Sequence, residues 1–291
     1  MSDDAIQAVV DEVSRSAGLR LATVERFQMG ENQSTYLVEA GAERLVLKLD
    51  PPERLAAHQR AARACSYLEG RGYPVPRMIA VGATAGRAYT LRNCLPGAPM
   101  SPDDGRHADR LIALVELQVA GAQAVGLAGD DWPGSVVDPV LLGGSGFCLL
   151  ETMRSRSGET ARLLGQLQAL VEAGRGALPE AADILHYDFN PANILVDGDE
   201  LSGVVDWEGV RAGDRAFDLA TLLFYAYDAA ATREALWMRL RALRPSPVIA
   251  VYLAHVILRQ VEWSLRLHAP EVGRRYLDRA HEVLTDLEAA G

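Results

Sequence analysis

Hydrophobic and polar residues alternate along the first part of the chain in a way that predicts a small β-rich lobe. Apolar residues recur with helical spacing over 3–17 and 53–70. Alternating runs between and after these helices predict short strands at 22–28, 34–40, 43–49, 77–82 and 86–92. Ala40-Gly41-Ala42 joins the second and third strands as a hairpin turn would.

Beyond Leu95-Pro96-Gly97 the pattern becomes predominantly helical. A Gly-, Pro- and Asp-rich stretch at 127–150 is typical of an extended loop, and 184–206 of a strand-loop-strand island. The apolar periodicity elsewhere predicts helices at 101–123, 156–174, 214–226, 232–243, 246–268 and 271–289. We therefore predict an α+β fold with two domains: an antiparallel-sheet lobe over 1–95 and a larger, mostly helical lobe over 96–291.

Composition excludes several classes of protein. With 291 residues, 49% hydrophobic and 23% charged, the chain has globular values, and its net charge of −10 argues against a general nucleic-acid binder. Three widely spaced cysteines without a C-x-x-C pair indicate a reduced protein with no zinc site. We expect no signal peptide and find no run of about 18 uncharged apolar residues. The expectation is a cytoplasmic monomer or weak dimer with no membrane or nucleic-acid partner.

One basic residue stands apart from the others. Of the 29 basic residues, 28 are arginine and only Lys48 is lysine, in the strand-like run Leu45-Val46-Leu47-Lys48-Leu49. The ammonium group is a compact point charge, whereas the guanidinium group is a bulky planar fork. By itself, a lone lysine is explained equally well by chance on an exposed strand and by a function that arginine does not fill.

A polar insert interrupts an apolar run in ILHYDFNPANILV. Asn, Asp and Pro form turns, so one interpretation is a surface turn. The other is a catalytic loop between two strands, because Asp188 and Asn193 have the spacing of the kinase pattern H-R-D-x-x-x-x-N. Asp206 ends a further apolar run thirteen residues after Asn193, where a carboxylate can reach Mg²⁺. Together with the upstream lysine, this order of groups favours the catalytic loop.

These residues resemble those of the aminoglycoside phosphotransferase family, within the wider protein-kinase-like fold. Within that family, the sequence most resembles hygromycin phosphotransferases and kinases that act on capreomycin or viomycin. The resemblance runs from Gly30 to the C-terminal helices and rests on LVLKL, YPVPRMIAVG, LRNCLPG, HYDFNPANILV, VVDWEGVRAGDRAFDLA and LRQVEWSL. It implies a two-lobed kinase-like fold and transfer of the γ-phosphate of ATP, or of GTP, to a hydroxyl of a cationic antibiotic, which would confer resistance.

The resemblance also implies residue roles. Asp188 would be the catalytic base, and Asn193 and Asp206 would be Mg²⁺ ligands. Lys48 would contact the nucleotide phosphates, and Ser34 would do so from the phosphate-covering loop at 29–35.

Two further features follow from the resemblance. Backbone groups of Arg92 and Cys94 would bind adenine. Protein kinases pair the strand lysine with a helix carboxylate, but the corresponding position here falls near Ala61, with Glu53 and Glu69 roughly two turns to either side. Either the helix is shifted or Lys48 lacks that partner.

Asp214 and Asp218 are predicted to be structural: Asp214 as a helix cap, and Asp218 as an anchor for the catalytic-loop backbone. The candidates for holding a polycationic substrate are Glu208, Asp228, Glu262 and Trp263. For each carboxylate, an ordinary surface charge with no role in binding is an equally good explanation.

The alternatives for the whole protein are a protein kinase and a metabolic kinase. Only seven residues separate Asp206 from Asp214, which leaves no room for the long activation segment of a protein kinase. A metabolic kinase of the same fold, acting on choline, homoserine or a similar metabolite, remains an alternative.

Overall fold

The computed structural model of the protein describes residues 3–26, 34–84, 86–127 and 129–289. These residues pack into two units. Unit 1 contains Met1–Pro99, Ala124–Gly126 and Ala192–Val210, and unit 2 contains Met100–Gln123, Leu127–Pro191 and Arg211–Gly291. The predicted α+β fold, with a small antiparallel-sheet lobe and a mostly helical part, is confirmed. The grouping differs from the predicted 95/96 division in that residues 96–99, 124–126 and 192–210 pack with the N-terminal part.

The strands of the described residues are β1 Ala22–Arg26, β2 Thr35–Ala40, β3 Glu43–Asp50, β4 Met78–Thr84, β5 Arg87–Asn93, β6 Ala98–Pro99, β7 Asp183–Leu185, β8 Ile194–Asp197, β9 Glu200–Val204 and β10 Arg211–Gly213. Their helices are α1 Asp3–Ala17, α2 Leu55–Glu69, α3 Ala108–Glu116, α4 Trp132–Leu141, α5 Leu150–Arg156, α6 Gly158–Gly174, α7 Ala216–Tyr225, α8 Ala230–Leu243, α9 Ser246–Leu267 and α10 Pro270–Glu288.

Unit 1 is built on an antiparallel sheet with the strand order β1-β2-β3-β5-β4. Helix α1 packs its apolar stripe against one sheet face, where it meets Leu45, Leu47 and Leu49 of β3. Since successive side chains of a strand point to opposite faces, Val46 and Lys48 point away from α1. The lone lysine therefore lies on the sheet face that α1 leaves uncovered.

A second sheet in unit 1 has the order β6-β8-β9. β8 and β9 form a hairpin in which Ile194 pairs with Val204, and the short strand β6 pairs with the outer edge of β8. Gly97 leads into β6 with φ of 96°, and a Cβ atom there would lie 2.3 Å from the Val196 carbonyl oxygen. Only glycine fits this close approach.

Unit 2 is organised around α9. This helix is long and apolar enough to cross a membrane by length and composition, although it contains Arg259 and Glu262, and 83% of its apolar window is buried inside the unit. Burial of that kind is typical of a core helix. The strands β7 and β10 pair with each other, antiparallel, in this unit.

Two sequence predictions in unit 2 were wrong. The helix predicted over 101–123 is confined to α3, because the chain after Glu116 turns and Gln118 donates its side-chain amide to Asp218, at 3.1 Å. The loop predicted at 127–150 contains α4. Its Asp131 accepts the Gly134 N–H at 3.0 Å and Pro133 occupies the first turn, so the Asp and Pro are helix-start signals rather than loop signals.

An aromatic cluster in unit 2 surrounds Tyr187, whose ring stacks on Phe217 at a centroid distance of 5.1 Å. The Tyr187 hydroxyl lies 3.1 Å from His255 Nε2 and 3.1 Å from the Ser135 carbonyl oxygen. His255 Nδ1 lies 2.9 Å from the Val136 carbonyl oxygen, which only accepts, so Nδ1 carries the proton. Nε2 is then an acceptor, and it shares the single Tyr187 hydroxyl proton with the Ser135 carbonyl oxygen. Burial, mainly, lowers the pKa of His255 to about 3.

We predict that Gly97→Ala destabilises the protein by more than about 1 kcal/mol, because alanine disfavours the positive φ and its Cβ would meet the Val196 carbonyl. Gly165→Ala is the matched control. Gly165 is exposed within α6, and a Cβ atom added there would meet no other atom within 4 Å, so that change should stabilise by roughly 0.5–1 kcal/mol. Urea denaturation measures both, and equal effects of the two substitutions would contradict the assignment.

We also predict that the neutral His255 makes stability depend on pH. Its folded pKa of about 3 lies below the ordinary value of 6.5, so below pH 6.5 the unfolded chain binds a proton that the folded chain does not. The contribution of His255 to the free energy of unfolding is therefore fully present above pH 6.5. It is lost toward pH 3, by roughly 1.4 kcal/mol per pH unit within this window. Urea denaturation between pH 7 and 4.5 should show a shallower slope for His255→Asn, whereas His268→Asn, at an exposed histidine, should keep the wild-type slope. Identical slopes for all three proteins would refute the prediction.

Candidate active site

The lone lysine lies between two carboxylates of one short turn in unit 1. Lys48 Nζ is 2.5 Å from Asp206 Oδ1 and 3.0 Å from Glu208 Oε1. The side chains of Lys48 and Glu208 are each 6% exposed, whereas that of Asp206 is 40% exposed. A buried ammonium needs such compensation. Residues that are 158 positions apart in sequence thus form one charged cluster.

The local backbone explains how both carboxylates reach the lysine. Asp206 has φ of 68° and ψ of 50°, a left-handed conformation that Asp adopts more readily than most residues. It ends the hairpin and starts a 3₁₀ turn over Trp207–Gly209. The fully buried Trp207 donates its ring N–H to the Val204 carbonyl at 2.9 Å and packs edge-on against Tyr73. This anchor fixes the turn.

Further buried polar groups surround Glu208. Its Oε1 lies 3.8 Å from His58 Nδ1 on α2 and 3.9 Å from Arg92 Nη1 on β5. His58 Nε2 in turn lies 3.0 Å from Asp50 Oδ2. Asp50 follows Lys48 by two positions on β3, so both side chains are on one sheet face. The cluster links the helix, the sheet and the turn of unit 1.

The cluster keeps its central pair ionised. Burial alone would raise the pKa of Asp206, but the Lys48 charge, with hydrogen bonds from its neighbours, holds that pKa well below the usual range. Burial alone would lower the pKa of Lys48, but the charges of Glu208 and Asp206 raise it above the usual value. A charged lysine beside an ionised carboxylate is suited to binding phosphate and a metal cation.

Asn193 is placed beside Asp206 by the hairpin. It directly precedes β8, and its carbonyl oxygen accepts the Val205 N–H at 2.9 Å, so Asn193 and Asp206 flank the same end of the hairpin. The amide and carboxylate oxygens are ligands that Mg²⁺ prefers. No group of three or more His, Cys, Asp or Glu side chains in the described residues is arranged to hold a metal. The donor set therefore fits a hard cation whose other ligands come from phosphate and water.

The other residues predicted to bind nucleotide are Ser34, Arg92 and Cys94. Ser34 is described, and its carbonyl oxygen accepts the Leu49 N–H at 2.9 Å, which puts it next to the lysine strand. The preceding residues 29–33 of the predicted phosphate loop lie outside the described residues. The Cys94 N–H donates to the Arg44 carbonyl at 3.0 Å, so the sheet already uses that donor. Arg92 contributes a buried guanidinium to the cluster, which the sequence did not predict.

In unit 2, the loop after β7 presents Asp188. The backbone N–H groups of His186 and Tyr187 donate to Asp218, at 2.8 and 2.9 Å, which confirms the predicted anchor. Tyr187 has a positive φ of 71°. Its ring is fixed in the aromatic cluster described above. The loop conformation is therefore set by buried groups.

The Asp188 carboxylate is 45% exposed and is oriented from α9. Arg259 Nη2 lies 3.4 Å from Asp188 Oδ1, and Arg259 Nη1 donates to the Tyr187 carbonyl at 2.9 Å. Burial by itself would lower the pKa of Arg259, but the charge of Asp188 raises it above its usual value. An accessible carboxylate held by a rigid loop is suited to accepting a proton.

The predicted substrate carboxylates all have cationic partners. Glu208 is buried against Lys48. Glu262 is fully buried, 2.7 Å from Arg266, and the Arg266 guanidinium lies 5.0 Å from the centre of the half-buried Trp263 ring. Asp228 is exposed and pairs with Arg279. Ion pairing leaves none of these three carboxylates as an uncompensated negative charge.

Sequence reasoning missed His58, Asp50, the Arg92 guanidinium and Arg259. Two signals were available. Asp50 lies two positions after Lys48, on the same strand face, and His58 lies one helical turn before Ala61, where a lysine partner was sought. Nothing in the sequence pattern connects Arg259 with Asp188, because that contact depends on helix packing.

Comparisons with known proteins show the family of the chain. Residues 23–255 match the phosphotransferase enzyme family. Homoserine kinase of Methylocella silvestris is 28% identical over 169 residues, which cover 54% of this chain and 49% of that protein. Hygromycin-B 4-O-kinase of Escherichia coli is 28% identical over 90 residues, which cover 30% of this chain and 26% of that protein. The matches thus span about half or less of these relatives' lengths.

Solved structures share the fold. A thermostable mutant of aminoglycoside phosphotransferase APH(4)-Ia, in a ternary complex with ADP and hygromycin B, has a TM-score of 0.72 at 15% identity, over 96% of this chain and 98% of that chain. Choline kinase LicA from Streptococcus pneumoniae has a TM-score of 0.67 at 15% identity, over 98% and 100%. The resemblance predicted from the sequence is confirmed at the level of the family. Since the family match extends through most of the chain, this protein belongs to the phosphotransferase enzyme family.

Proposed function

We propose that the protein is a small-molecule kinase that transfers the γ-phosphate of ATP, or of GTP, to a hydroxyl group. The observation that carries the proposal is the contact of 2.5 Å between Lys48 Nζ and Asp206 Oδ1. It brings the only lysine of the chain to the carboxylate that follows the strand-loop-strand island. If the lone lysine were a chance occurrence, it would not be expected to lie against this particular carboxylate in a cluster.

The nucleotide side of the reaction is assigned to unit 1. Lys48 binds phosphate oxygens, and Asn193 and Asp206 are the residues that would hold Mg²⁺. When bound, Mg²⁺ would neutralise phosphate charge. The lysine supplies a fixed positive charge where negative charge develops during transfer, and the buried surroundings strengthen that interaction.

The acceptor side is assigned to Asp188. Its carboxylate accepts the proton of the substrate hydroxyl while the hydroxyl oxygen forms a bond to the γ-phosphorus. The bond between that phosphorus and the β,γ-bridging oxygen breaks, and the nucleoside diphosphate leaves with the electron pair. Arg259 and the anchored loop keep the carboxylate in one orientation, as a general base requires.

For the acceptor, we propose a cationic antibiotic as the first candidate, either an aminoglycoside or a cyclic peptide of the capreomycin and viomycin type. The support is the similarity to Hygromycin-B 4-O-kinase and the net charge of −10, which attracts cations. Phosphorylation of such a compound would confer resistance.

The second candidate is a small zwitterionic or singly charged metabolite, such as homoserine or choline. The ion pairs of Glu262 and Asp228 favour this candidate. Because each of these carboxylates already has an arginine partner, neither is left to neutralise an amine of a polycation. In addition, the Arg211 and Arg259 guanidiniums lie 3.5 and 5.2 Å from the Tyr187 ring centre, next to Asp188 in sequence. These guanidinium groups suit homoserine, which has a carboxylate, better than a substrate with several amines, and they give no support to choline, which has no carboxylate.

A coupled assay of ATP and GTP consumption tests the function with a panel of hydroxyl acceptors. The panel contains hygromycin-type and kanamycin-type aminoglycosides, capreomycin, viomycin, choline and homoserine, and mass spectrometry of the product locates the added phosphate. Turnover of an antibiotic supports the first candidate. Turnover of only choline or homoserine supports the second, and no turnover above the acceptor-free rate would contradict the kinase proposal.

We predict that Asp188→Asn and Asp206→Asn fail in different ways. Asp188→Asn should keep nucleotide affinity nearly intact and lower kcat by roughly 10²–10⁴-fold, the usual effect of removing a general base. Asp206→Asn should weaken binding of the nucleotide with Mg²⁺, as measured by calorimetry. Asp197→Asn, at an exposed carboxylate at the end of β8, is the control and should behave as wild type. An effect of Asp188→Asn confined to KM would contradict its role as the base.

A further inference from the structure

The carboxylate that accompanies the strand lysine is not on helix α2. On α2, His58 contacts the cluster, and Ala61, the position where a partner was expected, is fully buried and is not a carboxylate. Glu53 precedes the helix and Glu69 is its last residue, and both are exposed. A partner supplied by α2 is therefore excluded.

Glu208 has the geometry that α2 lacks. Its Oε1 lies 3.0 Å from Lys48 Nζ, and its side chain is 6% exposed. It stands two positions after Asp206 in the turn that Trp207 anchors. Among the described groups with which it is paired, Lys48 is nearest, while His58 and Arg92 lie 3.8 and 3.9 Å away. The turn thus carries two carboxylates with different exposure, and both contact one lysine.

We propose that Glu208 is the residue that positions Lys48 for nucleotide phosphate, in place of a helix carboxylate. The inference rests on the proposed kinase function and assigns a role within that site. Asp206 is the exchangeable partner of the lysine, because its 40% exposed carboxylate also has to serve the cation. Glu208 is the permanent partner, because it is enclosed with Lys48 and is held by the same turn.

Charge balance explains why the permanent partner is needed. Lys48 and Arg92 both border Glu208, so two buried cations share this carboxylate. Without the Glu208 charge, Asp206 is the one remaining carboxylate that contacts the buried ammonium among the described residues. The ammonium would then hold Asp206 more tightly, and both groups would be less available to a nucleotide with its cation. His58 Nε2 lies 3.0 Å from Asp50 Oδ2, and His58 Nδ1 lies 3.8 Å from the same Glu208 oxygen that contacts Lys48.

The proposal predicts a specific kinetic effect. Glu208→Gln preserves the shape of the side chain and removes its charge. The loss of a charge-assisted contact should lower kcat/KM for Mg-ATP by about 10- to 100-fold, while KM for the acceptor stays near the wild-type value. Glu208→Asp keeps the charge at a shorter reach and should recover part of the loss. Glu69→Gln, an exposed carboxylate of α2, is the matched control and should leave both parameters unchanged.

A spectroscopic readout separates positioning from a general structural effect. Because Lys48 is the only lysine, protein labelled with ¹⁵N at lysine Nζ gives one side-chain NMR signal. We expect Glu208→Gln to move this signal in the nucleotide-free protein and to reduce its response to a non-hydrolysable ATP analogue with Mg²⁺. Thermal unfolding confirms that each variant is folded, and Glu208→Asp gives the same comparison if Glu208→Gln does not fold.

The outcomes separate this inference from the proposed function. If wild-type protein turns over no acceptor, the kinase proposal fails, and the NMR comparison still tests the contact between Lys48 and Glu208. If wild type is active and the folded Glu208 variants retain wild-type kcat/KM for Mg-ATP and an unmoved Nζ signal, the positioning role of Glu208 is overturned. A loss in the acceptor KM alone would also overturn it, since that would make Glu208 a substrate contact.

Discussion

A buried ammonium group has to be neutralised nearby, and in unit 1 much of the local structure serves that requirement. Lys48 lies on the sheet face away from α1, and its two carboxylates come from a turn that follows the β8–β9 hairpin. The left-handed backbone at Asp206 and the anchored Trp207 ring make this possible. Removing one buried partner from such a cluster leaves an uncompensated charge, which costs much more than an exposed ion pair contributes.

The loop of unit 2 is held by a different device. Instead of a compensated charge, the buried Asp218 carboxylate accepts two backbone N–H groups and the Gln118 amide, and burial raises its pKa despite these hydrogen bonds. The aromatic cluster fixes Tyr187, and Arg259 orients the neighbouring Asp188. Both units thus place a chemically useful carboxylate at partial exposure, on a backbone that buried polar groups hold in position.

The sequence was more informative about candidate site residues than about their partners. Lys48, Asp188, Asn193 and Asp206 were predicted because the motif has fixed spacing and because lysine is otherwise absent. The five strands of the β1-β2-β3-β5-β4 sheet followed from alternation. The sequence did not reveal α4, whose Asp131 and Pro133 begin a helix yet resemble loop residues. Nor did it pair Lys48 with Glu208, because a contact between distant segments is set by packing, which local periodicity does not encode.

The most direct test is covalent labelling with an amine-reactive ATP analogue, followed by peptide mapping. The central claim is that the Lys48 cluster binds nucleotide phosphates, and a chain with one lysine makes the site of modification unambiguous. We expect Lys48 to be modified and excess Mg-ATP to protect it. Modification of Lys48 at an unchanged rate in the presence of saturating Mg-ATP, or labelling of only the α-amino group, would contradict the claim.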